Sequence, residues 1–189
     1  MENYFSALTN VFKDWKTAVV VAIFTVARVF YGWKWFEAGL HKLEWLSDGK
    51  LNSQGKIQGL IDSIGPNAQR FDPLGINKIF AWVADNIFMS MPALTDFLVV
   101  SFEILVGIVL ILGFKVFWGA LIALFLNLQF IAAGSFNNFG YIWTNLALMK
   151  WVKHFDAVGI DGYLRVKKGK NLLSSTTNHA INSDKSIAK

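Results

Sequence analysis

The chain has 189 residues, 54% of them hydrophobic and 16% charged, with a mean hydropathy above zero and many aromatics. Soluble domains carry roughly 25% charged residues and have no need of several long uncharged runs, so this is the composition of one compact membrane domain. The net charge of +5 gathers late in the chain beside apolar segments, which favours an anionic cytoplasmic leaflet over nucleic acid as its partner, and a cysteine count of zero excludes disulfides, thiolate zinc sites and cysteine-ligated iron–sulfur clusters.

Residues 1–16 read as an amphipathic lead-in on the membrane surface. Tyr4, Phe5, Leu8, Val11, Phe12 and Trp15 recur at helical spacing, with Lys13 and Lys16 between them. No small-x-small cleavage site follows the first apolar run at a suitable distance, so that run is read as an uncleaved helix. It covers about residues 17–43 and must be helical, because nothing in hydrocarbon can satisfy an open backbone. At roughly 40 Å it crosses the bilayer and projects beyond it, with Arg28 expected near the centre. At about 100° per residue, Arg28, Gly32, Trp35, Gly39 and Lys42 share one stripe, and Lys34, Glu37 and His41 the opposite one. Two polar faces require protein around the outer half of this helix, and Gly32 and Gly39 permit a close helix neighbour.

Residues 46–91 form a connection too long to be idle. Ile57, Leu60, Ile61 and Ile64 sit at helical spacing and Gly65-Pro66 ends the pattern; Asp72-Pro73 then signals a second short helix with the stripe Ile76, Ile79, Phe80, Val83 and Ile87. Both pieces are too short to span and are expected to lie as a lid over one mouth of a bundle. A second span is expected over 92–112, closed by Gly113. Residues 116–149 carry no charge and are interrupted by the turn-like GSFNNFG at 134–140, which gives third and fourth spans over about 115–133 and 141–158. Residues 165–189 read as a basic tail, polar and disordered from Ser174 on. Lysine and arginine near the helix ends put both termini in the cytoplasm and the 46–91 connection outside. The expected fold is an all-α integral protein of the cell membrane: a four-transmembrane-helix bundle with an amphipathic outer loop between helices 1 and 2. His41 and His154 fall on opposite sides of it, so a haem held between them is not expected.

Counting from the span ends puts Arg28, Glu103 and Asn127 at one depth, with Lys150 somewhat nearer the inner surface. A lone arginine or lysine at mid-bilayer costs at least about 2.5–3.5 kcal/mol, so partners are required, and Glu103 is the carboxylate at that depth. One reading is a structural Arg28–Glu103 pair with Asn127 adding a hydrogen bond. In a second, the charge of Arg28 and Lys150 exceeds what Glu103 balances, and an anionic or electron-rich ligand binds among Arg28, Trp35, Glu103, Asn127 and Lys150. It would approach from outside past Lys34, Glu37, His41 and Asn145. In a third, Lys150 snorkels to the inner surface. No catalytic residue and no metal site is assigned.

Arg28, Gly32, Gly39 and Lys42, in the order R-x3-G-x6-G-x2-K, resemble the first helix of the DoxX/DoxD membrane proteins. Glu103, Gly107 and Gly113, as E-x3-G-x5-G, resemble their second helix, and VGIDGYL at 158–164 is similar to the family's closing motif, with Asp161 at its aspartate. The long insert after the first helix and the polar fourth helix with Lys150, Lys153 and His154 depart from the pattern. The resemblance implies a four-helix membrane protein. From some relatives it implies the small membrane subunit of a thiosulfate:quinone oxidoreductase, with quinone as cofactor and a partner redox subunit. On that implication Arg28 would donate to the quinone carbonyl, Trp35 would form a wall and Glu103 would be the proton source. Small-solute or ion transport, and a scaffold or assembly subunit with no activity of its own, stay open beside it, as does the oligomeric state.

Overall fold

The computed structural model describes residues 3–47, 52–64, 75–132 and 138–173, and their regular structure is helical throughout. The Gly65-Pro66 stop, the Asp72-Pro73 start, most of the GSFNNFG turn and the tail from Ser174 lie outside the described residues.

Helix α1 (Tyr4–Lys13) is capped by the Asn3 side chain. Asp14 then ends α1 and caps α2 (Trp15–Leu40), accepting from the backbone N–H groups of Lys16 and Thr17. Only part of the expected apolar stripe of α1 packs inward. Ala7, Tyr4, Leu8 and Val11 cover Val21, Ala157, Val166 and Leu172, while Phe5, Phe12 and Trp15 remain exposed.

The connection after α2 contains α3 (Gln54–Ile64) and α4 (Ile76–Val83), and α4 runs into a π-helical turn over Ala84–Phe88. Ile57, Leu60 and Ile64 of α3 are buried, as their spacing predicts. The stripe expected of α4 is not: Ile79 is 63% exposed and Phe80 and Ile87 also face outward, whereas Ala81 and Ala84 are buried in one cluster with α3. Small side chains let two short helices close on each other, and the large apolar ones are left for the surroundings.

Helix α5 (Pro92–Leu112) runs antiparallel to α2, and glycines set the distance between them. Gly32 lies on Leu110 and Ile111, Gly39 on Glu103 and Ile104, and Gly107 on Phe36. A Cβ at any of the three would come within 2.9 Å of a neighbouring atom. This register slides α2 along α5, so that Gly32 faces the C-terminal end of α5 and the first half of α2 projects past it. Gly113 ends α5 at φ +64°, in the left-handed region that favours glycine, and starts a tight return into α6 (Val116–Ala132).

The single helix expected over 141–158 is two, α7 (Phe139–Lys150) and α8 (Val152–Phe155), broken at Trp151. The break stacks Phe155 on Phe24, with ring centroids 4.4 Å apart, and brings Asp156 to Arg165. Helix α9 (Ile160–Lys167) carries ordered structure past the boundary expected at 164. Arg165 Nη2 donates to both oxygens of Asp156 at 2.7 Å and Nη1 to the Leu172 carbonyl, so the chain is anchored where a loose basic tail was expected.

Two helices, Trp15–Leu40 and Ala93–Leu112, are long and apolar enough to cross a membrane. Helix α6 is apolar but has 17 residues, about 26 Å of helix.

Candidate functional site

Beyond the Gly39–Ile104 contact, α2 and α5 open a cavity of about 710 Å³ that α3 and α6 help to wall. That size lies within the roughly 300–1,000 Å³ of small-molecule sites. The wall is largely apolar, with Trp35, Trp45, Phe88, Phe102, Phe125 and Phe130 supplying aromatic faces.

Glu103, near the middle of α5 and 1% exposed, is the deepest charge in this wall. Gly39 rests on its Cβ and brings the last turn of α2 close; Lys42, three residues on, falls on the same face and donates from Nζ to Glu103 Oε1. The Lys42 ammonium also lies over the rings of Trp45 and Phe130, at 5.4 and 5.6 Å from their centroids. Glu103 Oε2 is buried and has no hydrogen-bond partner among the described residues.

A second polar group joins three helices. Tyr31 Oη donates to Asn145 Oδ1 and accepts from Asn127 Nδ2, both at 3.1 Å. Tyr31 and Asn127 line the cavity and Asn145 stands behind them, fully buried, with its Nδ2 lacking a partner among the described residues. At the rim, Lys34 and Glu37 pair at 2.9 Å and His41 is exposed.

Arg28 and Glu103 are not partners, contrary to the depth argument. Arg28 Nη2 donates to the Val158 carbonyl at 2.8 Å, and the guanidinium is wedged so tightly against Gly113 that a Cβ there would lie 1.7 Å from Nη1. Gly113 is ten residues from Glu103, about 15 Å along α5. The cause is the slide of α2 along α5, which carries Arg28 to the carbonyl pole of α5, a favourable place for a cation. Asp156 and Asp161 lie near enough to act on it electrostatically. Lys150 is also outside the cavity, exposed, with Nζ 5.0 Å from the Trp151 ring. Trp35, Glu103 and Asn127 therefore meet at one cavity with Lys34, Glu37 and His41 at its rim, while Arg28 and Lys150 do not. The surplus of positive charge that called for an anion therefore does not fall at this cavity; Arg28 keeps it elsewhere, with Nε and Nη1 buried and without a hydrogen-bond partner among the described residues.

Lys42 was visible on the stripe of Arg28, Gly32, Trp35 and Gly39 and as the last letter of a motif, but was not assigned to Glu103, opposite which Gly39 places it. Tyr31 gave no signal beyond a position four residues before Trp35. Asp96, which was not singled out from the sequence, is buried and accepts from the backbone N–H groups of Asn52 and Ser53 and from the Ser53 hydroxyl, which pins the start of α3 to α5.

These features define a helical membrane protein with an ion pair buried beside an apolar cavity. The motif residues supply its framework: the glycines interlock α2 with α5, Lys42 meets Glu103 at one end and Arg28 meets Gly113 at the other. The DoxX family model matches residues 23–137, and the chain belongs to the DoxX family. The match takes in α2 from Ile23 on, α5, α6 and nearly the whole cavity wall, and leaves out the 158–164 motif and the Asp156–Arg165 pair. Among curated proteins and among solved structures, none matches the chain.

Proposed function

We propose that this DoxX-family membrane protein binds a quinone in the cavity walled by α2, α3, α5 and α6, and acts as the membrane subunit of a quinone-linked oxidoreductase of the thiosulfate:quinone type. The observation that carries this reading is the buried Lys42–Glu103 pair, with Glu103 Oε2 unpartnered among the described residues, set in an aromatic-walled cavity. The residues fit such a ligand. A quinone, when bound, supplies uptake of two electrons and two protons. Lys42 places a fixed positive charge and N–H donors beside the cavity, which favours an oxygen that gains negative charge. Glu103 can hold a proton at Oε2, and Lys42 keeps its other oxygen oriented. Trp35, Phe102 and Phe125 keep water from the interior, and Asn127 and Tyr31 offer a polar contact apart from the ion pair. Since Lys42 and Glu103 cancel, as do Lys34 and Glu37, a neutral carrier suits the site better than a permanent anion.

In this reading α2, α5, α6 and the broken α7–α8 make four passes, α3 and α4 form an amphipathic cover on the outer side, and both termini are cytoplasmic. Lys13, Lys115 and Arg165 all fall at one end of the bundle, because the α1, α5–α6 and α8–α9 segments meet there. A membrane-impermeant thiol reagent should label Gln54→Cys but not Lys168→Cys in intact cells; the reverse would refute this orientation.

Ligand binding is tested by tryptophan fluorescence, since Trp35 and Trp45 line the cavity. Titrating a tail-free benzoquinone into the purified protein should give saturable quenching that shrinks in Trp35→Phe. Loss of a charge-assisted contact in Lys42→Met or Glu103→Leu should weaken affinity about tenfold or more. Quenching that is linear in quinone and the same in all variants would refute the proposal.

A further inference from the structure

We infer that the cavity opens sideways into the bilayer between α5 and α6, past Phe102 and Phe125, and that this opening takes the apolar tail of a long-chain, isoprenoid-type quinone. The inference rests on the quinone reading and narrows its substrate class to ligands that arrive from within the membrane. Phe102 and Phe125 both line the cavity, yet they are 36% and 49% exposed. Helical geometry accounts for both properties. Phe102 stands about 60° from the outward-facing Leu105 and about 100° from Glu103, and Phe125 stands about 60° from the outward-facing Leu128 and about 100° from Leu126 in the cavity wall.

Each ring thus sits on the edge where an inner wall becomes an outer apolar face. Near the α5–α6 turn the two helices are tight, since a Cβ on Gly119 would lie 2.7 Å from the Val109 side chain. Phe125 is six residues further on, about 9 Å, where both helices turn residues to the cavity. The other mouth is polar, edged by Lys34, Glu37, His41 and Lys56. A tail of many isoprene units does not fit inside about 710 Å³ together with its ring, and every CH₂ forced through a polar mouth forgoes favourable apolar contact. The apolar gap is the exit that such a tail requires.

The test uses the full chain in lipid nanodiscs and a benzoquinone bearing a ten-carbon tail with a terminal diazirine. After photolysis, the label competed by excess unlabelled ligand should map to α5 and α6 around Phe102 and Phe125. Leu128→Asp, on the outer side of the gap and outside the cavity wall, should weaken the tailed ligand at least tenfold and leave a tail-free benzoquinone within twofold, which also shows that the variant is folded. Ring binding detected by tryptophan quenching, with competed label confined to Trp45, Lys56 or Phe88 or missing from α5 and α6, overturns the lateral opening alone. Equal loss of both ligands in Leu128→Asp does the same, and should that variant not fold, the labelling of the native chain decides. No quenching and no competed label overturn the quinone reading and this inference with it.

Discussion

Gly107→Ala puts the α2–α5 interlock to the test. The added Cβ would lie 2.6 Å from the backbone nitrogen and Cβ of Phe36 and 2.7 Å from its Cα, whereas ordinary contacts begin near 3.4 Å, so the gap must widen by about 0.8 Å. Backbone atoms cannot rotate aside. The whole of α2 has to move, taking with it the Gly39 contact that brings Lys42 to Glu103. Overpacking of this kind costs about 1–3 kcal/mol, offset by the roughly 0.5–1 kcal/mol that alanine gains over glycine inside a helix. A net loss of about 1–2 kcal/mol is expected, together with weaker quinone binding. Gly140→Ala, with nothing within 4 Å of the new Cβ, is the control and should be neutral or stabilising. Thermal unfolding in detergent at one scan rate ranks the three proteins. If Gly107→Ala melts with or above the native protein, the close packing of α2 on α5 is wrong.

Stability cycles should separate the two cations: Lys42→Met and Glu103→Leu combined should cost clearly less than the sum of the single losses, each about 3–5 kcal/mol if the site is dry, while Arg28→Met and Glu103→Leu should add. Additivity in the first cycle, or strong coupling in the second, would contradict the assigned pairs. Arg165→Met leaves the nearly buried Asp156 carboxylate unpaired and should destabilise the fold by about 3 kcal/mol, read as a lower melting temperature; an unchanged melt would restore the picture of a loose tail. At the start of α2, the Thr17 hydroxyl and then the backbone N–H groups of Thr17 and Lys16 hold the Asp14 carboxyl below its ordinary range. A depressed folded pKa gives stability that is present above the unfolded value of about 3.9 and lost as pH falls through the lower folded value. The melting difference between native protein and Asp14→Ala should therefore be full at neutral pH and vanish in strong acid, and a difference independent of pH would refute the cap.

The bounds of α5 and the buried stripe of α2 were legible because apolar runs, Pro92 and Gly113 mark them locally. The depth of Arg28 was not. Counting residues from helix ends assumes that helices start level, and the glycine contacts instead slide α2 along α5, so that Arg28 meets Gly113 and Lys42 meets Glu103. The break at Trp151 has no proline or glycine to announce it; it follows from the stacking of Phe155 on Phe24 and the pull of Arg165 on Asp156, both tertiary. The stripe of α4 failed for a related reason. Apolar periodicity shows that a face avoids water but not whether protein or lipid covers it, and in α4 the alanines meet protein. Glu103 and Asn127 stood out as rare polar residues in apolar runs, whereas the Tyr31 link between Asn127 and Asn145 depends on three helices converging.

The central claim is that a quinone binds beside Lys42 and Glu103, and a thermal-shift comparison tests it most directly. A tail-free benzoquinone at 100 times its dissociation constant should stabilise the native protein by about 2.7 kcal/mol. Arg28→Gln, although less stable, should keep that response because Arg28 lies outside the cavity, while Lys42→Met and Glu103→Leu should lose most of it. If no quinone raises the native melting temperature, or if the response survives in Glu103→Leu and is lost in Arg28→Gln, the account is contradicted.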